Sequence, residues 1–234
     1  MFGNAKKHAW TENTNLSFRV CYLTGIVGLG LGLGMGLPFL KDGPPAGFRP
    51  FSVLVIGGSS ALGAAVIQLL RLAVADCTIL ATSSMKHHSH ITATLGANKA
   101  IDRHSVSLVT DVKLASPGSR GVDAIVDAVG AGRMERHIFE AFDPNGPKKY
   151  AQVWTGDDEI KVPSGVVSVM FRGRDLSQLQ GAQNVFLALQ ALLEEDKYKL
   201  PLPVHKVGDG LDMLETGLDI MRKGVSGEKL VVVV

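Results

Sequence analysis

Residues 53–56, inside "FSVLVIGG", form a short unbroken apolar run rich in β-branched side chains, the pattern of a strand buried on both faces. After Gly57 and Gly58 the apolar positions return at Leu62, Val66, Leu69, Leu70 and Ala73, which is helical spacing. The pattern therefore predicts strand, tight glycine turn, helix. Downstream, "CTILAT" (77–82) predicts a second strand. A helix then ends at "TLGANKAID", where Gly96 fits a helix stop and residues 99–101 a short third strand. Another helical stretch and the turn "SPGSRG" lead to "VDAIVDAVG", a fourth strand closing on Gly130. "KKYAQVWTG" and "GVVSVMFRG" give a fifth and a sixth. Strands alternating with helices predict an α/β fold, a doubly wound parallel sheet with its ligand along the carboxyl ends of the strands. The tail changes style. It reads as a helix over about residues 183–195, a proline-bounded strand in "LPLPVHKV", an amphipathic helix carrying Leu211, Leu214, Leu218 and Met221, and a terminal "KLVVVV".

Residues 20–40 carry no charge and just reach the length of a membrane span. Gly25, Gly28, Gly30, Gly32, Gly34 and Gly36 interrupt the run, each disfavouring a helix interior by about 1 kcal/mol relative to alanine. Leu29, Leu31 and Leu33 alternate with glycine at a period of two, which is no helical stripe. A buried helix running into an irregular, glycine-rich connector is the expected form, ahead of a span. A phosphate loop is disfavoured here as well, because Pro38 and "KDGPPAGFRP" follow where a helix would be needed.

The strand–turn–helix context that such a loop requires occurs at Gly58-Ser-Ser60-Ala-Leu-Gly63, a G-x-S-x-x-G variant of the dinucleotide fingerprint. Gly58 allows the turn, Ser60 is small and adds a hydroxyl, and Gly63 lets the helix pack on the strand. A competing reading is a nucleophile elbow, in which Ser59 of Gly57-Gly-Ser59-Ser-Ala61 would attack an ester. That reading needs a downstream histidine, and His205 is the only one in the last third; alanine also replaces the final glycine.

Composition narrows the classes. With 234 residues the chain can bury a full core, and 24 Lys and Arg against 22 Asp and Glu leave a net charge of +2, so no polyanion is implied. Basic residues are not clustered with aromatics, and no Lys-Ser/Thr phosphate-loop motif occurs, so nucleic-acid binding and nucleotide hydrolysis lack support. Cys21 and Cys77 are far apart and outside any C-x-x-C pattern, which points to a reduced compartment. No apolar stretch adjoins the N-terminal lysines, and a cytoplasmic location is the expectation.

"VLVIGGSSALGAAVIQLLR", "LGANKAID", "VDAIVDAVG" and "MRKGVSGEKLVVVV" together resemble the medium-chain dehydrogenase/reductase superfamily. The likeness is to its zinc-free, quinone-oxidoreductase-like branch, which includes fungal trans-acting enoyl reductases working with polyketide synthases. It runs from about Leu16 to the C-terminus. It implies a Rossmann fold and makes the glycine ladder a joint between domains, with Thr24 near the nicotinamide. It also implies an N-terminal barrel-like substrate domain, of which only a remnant fits this chain. On this reading residues 1–42 are an N-terminal segment and connector, 43–180 the NADP-binding domain, and 181–234 elements that would pack on the substrate domain. Two accounts follow: a truncated reductase, or a chain that covers the gap with a second copy or a polyketide-synthase-like partner. Either one predicts exposed apolar surface.

An NAD site usually ends its second strand with a carboxylate for the ribose 2′-hydroxyl. Here "ATSSMKHH" offers Ser83, Ser84 and Lys86 instead, which suits the 2′-phosphate of NADP. Arg103 stands about where relatives often carry a cofactor-contacting tyrosine; Arg could serve the phosphate, and Lys86 and Arg103 could equally be solvated surface charges. The expected cofactor site is thus Thr24, the turn Gly57, Gly58, Ser59, Ser60, Ala61, Leu62 and Gly63, then Ser83, Ser84, Lys86, Arg103, Val129 and Gly130. His87, His88 and His90 imitate a metal tract, but helical geometry would not aim three such neighbours at one ion. Asp127 reads as structural before catalytic, and Glu194 with Glu195 as a solvated helix end. The expected reaction is hydride transfer from C4 of NADPH to the β-carbon of an activated alkene or a quinone-like acceptor. A catalytically silent NADP-binding or assembly module is the alternative from a different class. No group is assigned to polarise the carbonyl or deliver a proton.

Overall fold

The computed structural model describes residues 12–156 and 159–234. Its central strand β1 (Ser52–Ile56) is buried at every position, as an apolar run between two covering layers must be. β2 (Thr78–Ser83), β3 (Lys99–Asp102), β4 (Ala124–Asp127), β5 (Lys149–Val153) and β6 (Val167–Phe171) complete a six-stranded sheet in the order β3-β2-β1-β4-β5-β6. Every pair in it is parallel, with Leu54 opposite Leu80 and Ile125, and Val55 opposite Ala81 and Val126. The predicted doubly wound sheet is therefore present. Its strands are shorter than the apolar runs suggest, since β4 stops at Asp127 and not at Gly130.

The period-2 alternation of side chains divides the core into two layers. Val53, Val55, Ile79, Ala81, Val126 and Ala151 face one cluster together with α1 (Glu12–Val27), α2 (Ala61–Ala73) and α4 (Val185–Glu194). Leu54, Ile56, Leu80, Ile101, Ile125 and Tyr150 face the other, which α3 (Leu108–Ala115) covers through Leu108 and Val112. α1 and α4 are tied directly, since the buried Tyr22 hydroxyl donates to the Val185 carbonyl at 3.1 Å. β7 (Val204–Asp209), α5 (Met213–Lys223) and β8 (Lys229–Val233) form a separate β-α-β unit with a two-stranded parallel sheet.

The glycine ladder departs from the sequence expectation. It does not break the helix at once but continues α1 as a wide π turn over Gly28–Gly32, and only then becomes an irregular connector. Close packing explains why. A Cβ would stand 2.7 Å from the Phe171 ring at Gly28, 2.5 Å from Leu179 at Gly30 and 3.0 Å from Ala151 at Gly32. Glycine's intrinsic helix penalty of about 1 kcal/mol each is offset by letting the turn lie flat on β5 and β6. The Lys149 ammonium donates to the Leu33 carbonyl at 2.8 Å and lies 4.5 Å from the centre of the Phe48 ring, capping the end of this turn where the helix dipole favours a cation. Among the described residues no helix is long and apolar enough to cross a membrane.

Candidate functional site

The turn after β1 is built around missing side chains. Gly57 adopts φ +78°, and a Cβ there would meet Val129 at 2.6 Å. A Cβ at Gly58 would stand 2.8 Å from that of Ala81 on β2, and one at Gly63 would collide with the Gly57 carbonyl oxygen. Gly63 thus lets α2 start directly against the strand, as the fingerprint requires. The turn is pinned to β2, because Gly57 N–H donates to Thr82 Oγ1 at 3.1 Å and Gly58 N–H to the Thr82 carbonyl at 2.8 Å.

Ser60 caps α2, its hydroxyl oxygen accepting from Gly63 N–H at 3.0 Å, worth about 1 kcal/mol. A helix start has no internal acceptors for its first N–H groups. With Gly63 served by Ser60, the amides of Ala61 and Leu62 are left facing the half-exposed turn at the positive end of the helix dipole. The residues present fit a diphosphate.

At the end of β2, Ser83 is buried and its hydroxyl donates to the Ser84 carbonyl at 3.2 Å, so of the two expected hydroxyls only that of the half-buried Ser84 lies toward the surface. Lys86 and Arg103 are both exposed and flank His87. Burial holds the His87 imidazole below the usual histidine range, and the positive charges of Lys86, His90, Arg103 and His88 push it the same way. At the end of β3 the Asp102 carboxylate accepts from His104 N–H at 3.2 Å, beside Arg103. His87 pairs with Ser226 Oγ at 2.9 Å and His90 meets the Pro201 carbonyl at 3.4 Å. Among the described residues no group of His, Cys, Asp and Glu is placed to hold a metal ion.

Asp127 ends β4 fully buried. Its carboxylate accepts from the N–H groups of Val129 and Ala131 at 3.1 Å each, of Gly132 at 2.9 Å, and from the Tyr150 hydroxyl at 2.6 Å. Those bonds shape the turn that holds Val129 over Gly57 and puts Gly130 at φ +72°. Asp127 is a scaffold for the rim. Ser59 meets no histidine among the described residues, and His205 lies on β7 with Glu228 as its partner at 3.3 Å, so the serine–histidine pair of the elbow reading is not assembled.

Thr24 is buried on α1 against the segment after β6; a Cβ at Gly173 would lie 2.7 Å from its hydroxyl oxygen. Contacts run along the rim from Gly57 to Val129 and from Gly130 to Thr155, so the turn residues and the ends of β2 and β4 come together, with Thr24 beside the segment that follows β6. Sequence reasoning missed Trp154, Arg172 and Arg174. They sit just past the ends of β5 and β6, with the guanidinium carbons 4.7 and 5.9 Å from the centre of the Trp154 ring. Strand-end position was the available signal.

The chain is similar to trans-enoyl reductases. One from Penicillium oxalicum is 26% identical over 239 residues, covering 93% of this chain and 58% of the relative. One from Macrophomina phaseolina is 28% identical over 246 residues, covering 96% and 66%. One from Aspergillus japonicus is 26% identical over 202 residues, covering 84% and 55%. The chain thus spans from 55% to 66% of the length of these relatives. No family profile matches it. Among solved structures, the CurK enoyl reductase superposes with a TM-score of 0.70 at 16% identity, covering 99% of this chain and 65% of that one. An alcohol dehydrogenase from Thermus gives 0.63 at 18%, covering 95% and 59%. These show a shared fold, and with the sequence matches they support the resemblance to medium-chain dehydrogenases/reductases on the enoyl-reductase side.

Proposed function

We propose that this chain binds NADPH and serves an enoyl-reductase type of hydride transfer to an activated alkene or a quinone-like acceptor. The observation that carries the reading is the turn after β1, where Gly63 brings α2 against the strand and the Ala61 and Leu62 amides stay open for a diphosphate. Lys86 and Arg103, both exposed on either side of His87, support a 2′-phosphate and hence NADP over NAD. Ser59 and Ser84 would add hydroxyls, and Val129 and Gly130 would present backbone beside the turn.

When bound, the nicotinamide supplies the hydride. The protein's share is positioning. The amides and the α2 dipole would hold the diphosphate, Asp127 would keep the β4 turn in shape, and Thr24 would border the nicotinamide end. Leu214, Leu218 and Met221 of α5, and Leu211 just before it, are exposed, which supports covering of this face by a second copy or a polyketide-synthase-like partner. The test is a titration of NADPH fluorescence combined with turnover assays on enones and quinones. Saturable binding with NADPH oxidation is expected. Binding without turnover would favour a silent cofactor-binding module, and ester hydrolysis without binding would restore the Ser59 elbow.

A further inference from the structure

β5 and β6 are paired to their last residues, Val153 opposite Phe171, and Trp154 N–H donates to the Phe171 carbonyl at 3.0 Å. Trp154 and Arg172 therefore emerge side by side at the carboxyl rim. This is the half of a doubly wound sheet that lies away from the adenine end, where the reacting end of a dinucleotide and its substrate meet.

Trp154 is 44% exposed although two cations are stacked on it. Holding two guanidinium groups at one indole brings like charges together, an arrangement that an oxyanion between them relieves. Among the described residues neither Arg172 nor Arg174 has a carboxylate partner, and Arg172 Nε is buried without an acceptor. The neighbouring Asp175 accepts instead from the backbone N–H of Arg172, at 2.9 Å. Asp157 and Asp158, which follow Trp154 closely in sequence, lie outside the described residues. The segment is fixed in place from behind, because Gly173 packs on Thr24.

We propose that Arg172 and Arg174, flanking Trp154, form a substrate subsite for an oxyanion, a carboxylate or phosphate carried on the handle of the molecule being reduced. A guanidinium fork matches such a group in two parallel hydrogen bonds, and the indole offers an apolar wall for the chain that bears it. The pair thus determines specificity and touches no reacting atom. This inference rests on the reductase reading for its kinetic consequence but not for its binding consequence.

Two measurements separate them. The chain has two tryptophans, so the full-length Trp10→Phe variant reports on Trp154 alone. Its emission is titrated with inorganic phosphate, coenzyme A and acetate, without NADPH. A saturable change with phosphate and coenzyme A identifies a phosphate handle, one with acetate a carboxylate handle, and Arg172→Gln/Arg174→Gln abolishes either. No saturable change with any of the three overturns the proposal. So does a response that appears only in Asp157→Asn/Asp158→Asn, which would make those carboxylates the counter-ions. In the second measurement kcat/KM is compared for crotonyl coenzyme A and the neutral crotonyl N-acetylcysteamine thioester. The ratio falls by about tenfold or more in the double variant, and by a smaller factor in the exposed single variant Arg174→Gln, which leaves one guanidinium fork in place. An unchanged ratio overturns the proposal. If neither thioester is reduced, the reductase reading fails, and the fluorescence titration alone decides the subsite.

Discussion

Tyr150→Phe removes one atom from the scaffold beneath the rim. The Tyr150 hydroxyl donates to Asp127 at 2.6 Å in a fully buried setting, while its ring makes an edge-on contact with Phe139 at 4.9 Å between centres. Phenylalanine keeps the ring contact and opens little space. The loss is then one charge-assisted hydrogen bond, about 1.5–3 kcal/mol. Asp127 keeps three N–H donors from the turn, so the carboxylate is not orphaned and the larger penalty of an unpaired buried charge does not apply. For a chain of this length the change lowers Tm by about 3–12 °C. Urea denaturation at pH 7 should show the midpoint fall with the slope unchanged. Burial, then the Asp127 charge and hydrogen bond, push the Tyr150 hydroxyl far above its ordinary value. A raised native pKa makes its contribution complete below the unfolded value near 10 and lost as pH climbs beyond it. Wild type should therefore lose stability more steeply than Tyr150→Phe above about pH 10. Equal stability of the two proteins at pH 7 would refute the reasoning, as would parallel alkaline limbs.

Gly63→Ala puts a methyl group into the Gly57 carbonyl and should weaken NADPH binding in titration by tenfold or more, about 1.4 kcal/mol or above, while far-UV circular dichroism stays native. Lys149→Met strips the cap from the Leu33 carbonyl and the cation from the Phe48 face, for about 1–2 kcal/mol in urea melts. Burial pushes the Cys77 thiol up to about 12, so unfolding releases its proton in the alkaline range. Stability present below the unfolded value near 8.5 should then decline above about pH 9, by up to ~1.4 kcal/mol per pH unit, and the part due to Cys77 should vanish in Cys77→Ala.

How much of this was legible in the sequence differs by element. β1, the glycine turn and α2 could be read because a strand buried on both faces, a fingerprint and a helical stripe all agree there. The π turn could not, since its glycines answer to Phe171, Leu179 and Ala151, residues distant in the chain. Asp127 reads as structural from the sequence, but its partners at Gly132 and Tyr150 become visible only once β4 and β5 are paired. Ser83 had the right chemistry, but the last position of β2 turns its hydroxyl into the protein. Trp154 and the two arginines come from different strands, and no spacing rule joins them.

Calorimetric titration of NADPH and NADH against wild type and Lys86→Ala/Arg103→Ala tests the central claim most directly. The account predicts saturable NADPH binding, NADH weaker by tenfold or more, and a preference that shrinks in the double variant. Failure of either dinucleotide to bind, or equal affinity for both, would contradict it.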